Sequence, residues 1–149
     1  MRNEDVARGI LDAVSYTVLA TADADGVPWA TPVWFAQENY QELYWVSAPD
    51  SRHSRNLTAR PEIGMVVYDS TVAPGSGQAV YMSAIAAQVA HPADGIEVYS
   101  RVSERQSLGE WGLSRVTGDA RLRLYRAEVT ELWILDPTAA VEVRVLVSI

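Results

Sequence analysis

The sequence predicts one mainly β domain, in which about seven antiparallel strands form a closed or partly closed barrel with flanking helices. Three observations lead to this fold class. Apolar and polar residues alternate with a period of two over much of the 149-residue chain. Turn signals separate most of these runs by hairpin lengths, which favours antiparallel pairing. The composition, 48% hydrophobic and 21% charged, is ordinary for a chain that buries a core.

Helical spacing of apolar residues predicts three helices beside the strands, at residues 3–14, 52–59 and 92–108. In the first helix Val6 and Ile10 share a face, and Asn3 is the expected N-cap. Either Asp50 or Ser51 is expected to cap the second helix, because its side-chain oxygen can accept a hydrogen bond from the first turn.

Runs rich in β-branched and aromatic residues predict the strands. The first two runs are separated by the hairpin signal Asp25-Gly26. Pro28 and Pro32 lie inside the second run, and since proline cannot donate to a ladder, that strand should lie at an edge or carry a bulge. Residues 109–118 fit no pattern. The expected strands are residues 16–23, 27–36, 43–47, 63–68, 79–90, 120–125, 129–135 and 141–147.

The charge and the missing residue types exclude several functions. A net charge of -7 disfavours nucleic acid and anionic membranes as partners, since both need a dense basic surface. Without cysteine, the chain has no disulfides, thiolate nucleophiles or cysteine metal sites. All 12 basic residues are arginine, so no lysine can form a Schiff base. No apolar run reaches the roughly 18 residues of a membrane span, and we expect a cytoplasmic protein.

The stretch from Ser51 to Arg55 carries the residue types of a phosphate site. Arg52 and Arg55 are three residues apart, so they fall on one side of the first helical turn. Ser51, His53 and Ser54 add polar groups beside the free N–H groups and the positive end of the helix dipole. A phosphate monoester fits this arrangement. A capped surface helix, with arginines that face water or neighbouring carboxylates, fits it equally well.

The run Ala30-Thr31-Pro32-Val33-Trp34-Phe35 is unusual for a strand, because Pro32 leaves backbone groups around it free of the ladder. Trp29 and Trp34 add flat aromatic surface. The run predicts either a wall against which a planar ring lies or an edge strand with core aromatics.

The remaining candidates are weaker. His91 lies in a loop near Asp94, but a metal centre needs three or more convergent ligands, so no metal is predicted. Arg121 and Arg123 alternate with leucines, which places them on the polar face of a strand. That face is either solvated surface or the mouth of a cofactor site.

The order of these pieces resembles the pyridoxamine 5'-phosphate oxidase-like flavoproteins. The matching motifs are Leu19-Ala20-Thr21, Asp25-Gly26-Val27-Pro28, Thr31-Pro32-Val33-Trp34-Phe35, Leu43-Tyr44-Trp45-Val46-Ser47 and Ser51-Arg52-His53-Ser54-Arg55-Asn56-Leu57, followed by Arg60-Pro61. The resemblance implies a six- to seven-stranded antiparallel split barrel of Greek-key topology. It also implies that FMN, or in one branch the deazaflavin F420, binds at the interface of a homodimer.

The resemblance assigns roles to individual residues. Backbone groups of one strand would hold the isoalloxazine ring, at Ala30, Thr31, Pro32, Val33 and Trp34. Ser47 would lie near the ring or the ribityl chain. The phosphate would be held by Ser51, Arg52, His53 and Arg55.

Two departures from the family pattern bear on the substrate. The oxidase itself carries Ser-Arg-Lys where this chain has Ser51-Arg52-His53, and a lysine at the end of the ring-binding strand where this chain has Phe35. We therefore expect a flavin-dependent oxidoreductase that acts on a small molecule other than pyridoxamine phosphate. The flavin would carry the redox chemistry, so no catalytic side chain is predicted. The alternative is a non-catalytic protein that binds or carries flavin or haem.

Overall fold

The computed structural model describes all residues from Met1 to Ile149, and one antiparallel sheet forms its body. The helices are α1 (Asn3–Ala13), α2 (Arg52–Ala59) and α3 (Ala93–Arg105), with a short 3-10 turn at Leu113–Arg115. The strands are β1 (Tyr16–Ala22), β2 (Pro28–Trp34), β3 (Ala36–Glu38), β4 (Glu42–Ser47), β5 (Glu62–Tyr68), β6 (Ala79–Gln88), β7 (Arg123–Leu135) and β8 (Arg144–Leu146). No helix combines the length and the apolar character that crossing a bilayer requires.

The two edges of the sheet are neighbours in sequence. The strand order is β2-β1-β5-β6-β7-β4-β3, with β8 beside β7, and every pair is antiparallel. Only Phe35 separates the end of β2 from the start of β3, so the sheet must curl until its edges approach each other. The predicted mainly β split barrel is confirmed.

Apolar side chains fill the inside of the curled sheet. Trp45 and Tyr125 are almost completely buried there and stack with ring centroids 6.0 Å apart. Helix α1 contributes Ala7 and Leu11 to the same core. A second, smaller cluster lies between the sheet and α3, which therefore covers β3 and β4 from outside.

The expected N-cap of α1 is wrong. Arg2 is the cap residue, with an extended backbone, and Asn3 already lies in the helix. The Arg2 carbonyl accepts a hydrogen bond from the N–H of Val6, and the Arg2 side chain holds the Asp5 carboxylate at 3.2 Å. These contacts stabilise a start one residue earlier than the cap preference of Asn3 indicates.

The expected break at residues 126–128 is also wrong, because β7 continues through it. Ala127 is fully buried, while Arg126 and Glu128 lie on either side of it and pair with each other at 2.9 Å. Two charged residues on the outer face of a strand therefore produced a turn-like pattern. The irregularity is a shift in register against β6, between Ser83 and Ala84.

Other boundaries differ by a few residues. The strand expected at residues 120–125 begins at Arg123, which leaves Arg121 in the preceding loop. The last strand is confined to Arg144–Leu146, and α3 ends at Arg105. These ends lie where the side chains become exposed and periodicity carries least information.

Candidate functional site

Four polar side chains meet where β4 ends and α2 begins, and we call them the serine–histidine cluster: Ser47, Ser51, His53 and Ser54. The ring nitrogen Nε2 of His53 lies 2.7 Å from Ser47 Oγ and 3.4 Å from Ser51 Oγ. The Ser51 hydroxyl donates to Ser54 Oγ at 2.7 Å. Three residues assigned to the cofactor by resemblance, Ser47, Ser51 and His53, are thus brought into one hydrogen-bonded group.

Ser51 is the N-cap of α2, one of the two residues expected there. Its Oγ accepts a hydrogen bond from the backbone N–H of Ser54 at 3.4 Å. The first turn of α2 contains no acidic residue, so no carboxylate of that turn offsets the positive end of the helix dipole. The start of α2 therefore has the polarity that suits an anion.

His53 is half-buried in this cluster. Burial lowers the pKa of its imidazole below the ordinary value of 6.5, because the charged form loses solvation. No charged neighbour contributes to this shift. The ring is therefore mainly neutral at pH 7.

The two arginines of the first turn have different partners. The Cζ atom of Arg52 lies 4.3 Å from the ring centroid of Trp29, on β2. Arg55 instead donates from Nη1 to the backbone carbonyl of Asp50 at 2.7 Å. Both guanidinium groups belong to exposed residues. Trp29 was not among the expected cofactor residues, and only its position beside α2 reveals this contact.

Helix α2 is anchored beneath the cluster. The buried Asn56 donates from Nδ2 to Thr21 Oγ1 at 3.0 Å, and Thr21 Oγ1 in turn donates to the carbonyl of Trp29 at 3.4 Å. These bonds tie α2 to β1 and β2. Asn56 gave no sign of this role in the sequence, because an asparagine in a short helix is equally compatible with solvent.

Strand β2 lies at an edge of the sheet, as its prolines predicted, since it pairs only with β1. The N–H of Phe35 donates to Ser15 O, and the carbonyl of Val27 accepts from Asp23 N. Ladder-bonded positions alternate in an antiparallel pair. The odd-numbered residues therefore direct their backbone groups to β1, and the even-numbered residues direct theirs to the free edge.

The prolines reduce the number of backbone N–H donors on this free edge. Pro28 and Pro32 occupy even positions and have no N–H, so Ala30 and Trp34 supply the free donors of β2. These donors are four positions apart along the strand, which is about 13 Å of extended chain. Val33 directs its backbone to β1 and buries its side chain in the core.

Thr31, like Val33, is an odd-numbered residue of β2, so its backbone N–H and carbonyl also face β1.

The side-chain ring of Trp34 is held by residues at the C-terminal half and end of α3. Its Nε1 donates to Gln106 Oε1 at 2.9 Å, and Tyr99 packs against it edge-on at 4.9 Å between centroids. Of the five backbone positions expected to face a planar ring, the free edge therefore contains Ala30, Pro32 and Trp34.

Three other candidates are placed elsewhere. Phe35 is only 3% exposed and belongs to the barrel core. Arg123 donates to the carbonyls of Gly118 and Leu122, each at 2.8 Å, and so holds the preceding loop. His91 is exposed in the loop before α3. None of them contributes to the serine–histidine cluster.

The family of this protein follows from its sequence match together with this geometry. The family model described as pyridoxamine 5'-phosphate oxidase matches residues 4–136. The chain belongs to this family. This match confirms the expected resemblance and covers most of the 149-residue chain. No curated protein matches it in sequence.

Several solved structures share the fold of this chain. HutZ, the heme storage protein from Vibrio cholerae, is 22% identical with a TM-score of 0.68, over 89% of this chain and 94% of that one. An F420 reductase is 20% identical with a TM-score of 0.62, over 85% and 94%. A heme binding protein from Mycobacterium smegmatis is 13% identical with a TM-score of 0.68, over 98% and 58%. At these identities the likeness is one of fold.

Proposed function

We propose that this member of the pyridoxamine 5'-phosphate oxidase family binds FMN and uses it to oxidise or reduce a small molecule other than pyridoxamine phosphate. The observation that carries the proposal is the contact between Arg52 and Trp29. It joins an anion-receptive helix start to a strand edge with free backbone donors. A planar ring with a phosphate at the end of a flexible chain has the matching shape.

The phosphate end of FMN fits the start of α2. Backbone N–H groups of the first turn and the helix dipole favour an anion there. Arg52 is exposed and can offer two parallel N–H donors to phosphate oxygens. Ser47 and His53 lie within the same hydrogen-bonded group. No carboxylate takes part in the serine–histidine cluster to oppose a dianion.

The ring end of FMN fits the free edge of β2. Either Ala30 or Trp34 can donate its N–H to an acceptor atom of an isoalloxazine, because the roughly 13 Å of chain between them exceeds the span of one ring's acceptor atoms. Pro32, between them, presents a flat apolar side chain without a competing donor. A bound flavin would supply the hydride-transfer chemistry, while these residues orient it.

F420 is the alternative flavin. It shares the planar ring system and the phosphate-bearing side chain, and an F420 reductase shares the fold. His53 stands where the oxidase carries a permanently charged lysine, which favours neither cofactor by itself.

We also propose that a second copy of the chain covers the outer face of the sheet. Directly paired residues form an apolar row across six strands of that face: Pro32, Val18, Val66, Tyr81, Trp133 and Leu146. Each of these side chains is partly or fully exposed in the single chain. A stable pair would bury roughly 2,000 Å² or more in total. The row begins at Pro32, so the partner would lie beside the proposed ring site.

Haem is a second candidate because HutZ and the Mycobacterium smegmatis protein share the fold. A haem carrier would need an axial ligand. Nε2 of His53 already lies 2.7 Å from Ser47 Oγ, so ligation by this atom would break the cluster. The other histidine, His91, is exposed in the loop before α3 and lies outside the cluster, so a haem held there would not use the phosphate site.

A thermal-shift screen with FMN, F420 and haem tests the proposal. FMN at about 100 times its dissociation constant should stabilise the fold by about 2.7 kcal/mol and give the protein a flavin absorbance spectrum. Stabilisation by haem alone, with a Soret band, would contradict it. Bleaching of the bound flavin by a reduced nicotinamide then distinguishes an enzyme from a carrier.

A further inference from the structure

The serine–histidine cluster accommodates His53 in either protonation state, because a serine hydroxyl can donate or accept. Ser47 Oγ lies 2.7 Å from Nε2 of His53. Its hydroxyl can donate to Nε2 when the neutral ring carries its hydrogen on Nδ1, and it can accept when Nε2 carries a hydrogen. Nε2 also lies 3.4 Å from Ser51 Oγ.

Nδ1 of His53 has no hydrogen-bond partner in the protein. In the doubly protonated ring, Nε2 can donate to Ser47, and Nδ1 carries a hydrogen and a share of the positive charge for an anion. The cluster therefore permits the charged ring as well as the neutral one.

The charged side chains near His53 have partners other than its ring. On its own helix, Arg52 leans onto Trp29 and Arg55 onto the Asp50 carbonyl. From the sheet, Ser47 faces the ring and is not titratable in this range. On β7, Arg123 is the register partner of Ser47, and its guanidinium binds loop carbonyls.

No carboxylate bonds to the imidazole, and burial alone lowers the pKa of His53. A neutral ring in the free protein and a charged ring opposite a dianion are the states that these surroundings favour.

We propose that His53 takes up a proton when a phosphate monoester binds at the start of α2, so that the phosphate and the proton bind together. The inference rests on the proposed function, because FMN is the occupant that brings the phosphate. A lysine at this position would be charged in both states. The histidine therefore makes the affinity for the phosphorylated cofactor depend on pH.

The sign of this dependence follows from the two states of His53. Phosphate raises the pKa of the ring above its value in the free protein. At a pH between these two values each binding event takes up one proton, so the affinity falls about tenfold per pH unit as the pH rises. Above both values the ring is neutral in either state, and the affinity no longer changes.

The test measures dissociation constants of FMN and of riboflavin, which has no phosphate, from about pH 6.5 to 8.5, where the FMN phosphate is mainly a dianion. Calorimetry in two buffers of different ionisation enthalpy counts the protons taken up. The matched control is His53→Lys, which keeps a positive charge throughout this range. His53→Asn, neutral throughout, is the second control if the lysine variant does not fold.

We expect FMN affinity to fall with rising pH in the parent, with uptake of up to one proton. Riboflavin binding to the parent and FMN binding to either variant should be flat. A parent whose FMN affinity is as flat as that of the variants, without proton uptake, would overturn the inference and leave the proposed function standing. Failure of FMN to bind the parent at any pH would overturn both.

Discussion

The guanidinium of Arg52 lies over the ring of Trp29, with Cζ 4.3 Å from the ring centroid. An exposed contact of this kind stabilises by about 0.5–1 kcal/mol. A charge-assisted hydrogen bond to phosphate contributes about 1.5–3 kcal/mol. A phosphate at the start of α2 can therefore draw Arg52 away from Trp29, and the contact holds the arginine near its binding position until then.

Arg52→Ala is expected to weaken FMN binding by about 10- to 150-fold, the equivalent of one lost charge-assisted hydrogen bond. Arg52→Lys should also weaken it, because an ammonium cannot make the two-pronged contact of a guanidinium. Arg55→Ala should have a smaller effect, since Arg55 already donates to the Asp50 carbonyl. Fluorescence titration checks all three, with riboflavin as the control that should not change. If both alanine variants bind FMN like the parent, the phosphate assignment is wrong.

Light scattering is expected to give twice the chain mass of 16.4 kDa at micromolar concentration. Val66→Arg should shift the protein to the monomer, because it places a charge in the middle of the apolar row of the outer face. Leu108→Arg, at an exposed leucine outside that row, is the control and should leave the mass unchanged. A parent protein that is already monomeric would contradict the proposed interface.

Pyridoxamine phosphate should not be turned over by the purified, flavin-loaded protein at an ordinary enzymatic rate of about 1–1,000 per second. Phe35 stands where the oxidase carries its lysine, and its side chain is buried in the core, so this position cannot supply a cation to the substrate phosphate. Oxygen consumption with pyridoxamine phosphate is the measurement. Steady turnover in that range would show that another residue anchors the substrate.

Two glycines in helices should respond to alanine in opposite directions. At Gly95 in α3, a Cβ would lie 2.5 Å from Tyr44 Cε1 and 3.0 Å from Leu124 Cδ2, so we expect Gly95→Ala to lower the free energy of unfolding by about 1–3 kcal/mol. Gly9 in α1 is exposed, with no atom within 4 Å of an added Cβ. Gly9→Ala should therefore raise it by about 0.5–1 kcal/mol. Urea unfolding checks both, and equal effects would argue against the packing of α3 on β4.

Local patterns predicted most of the elements. The alternation in β1, β4 and β5 and the helix cap expected at Asp50 or Ser51 depend on residues close in sequence, and these agree with the structure within about one residue. The prolines of β2 correctly indicated an edge, because a missing N–H is a property of the residue itself. The patterns failed at α1, where Arg2 and not Asn3 is the cap residue.

They failed again in β7, where Arg126 and Glu128 resemble a turn in sequence, although the backbone ladders with β4 and β6 run through both residues. A strand that continues past charged residues is stabilised by its neighbours. Here β4 and β6 pair along both sides of β7, and the sequence of one strand does not reveal its partners.

By itself, the sequence determined the family and the residue types at the start of α2, where serines, arginines and a histidine follow one another on one helical turn. Only the tertiary structure decided that Ser47 bonds to His53, that Arg52 lies on Trp29, and that Arg55 turns to Asp50. The physical reason is that periodicity reports which face each element buries. The curl and register of the sheet then decide which elements meet, and they depend on packing over the whole chain.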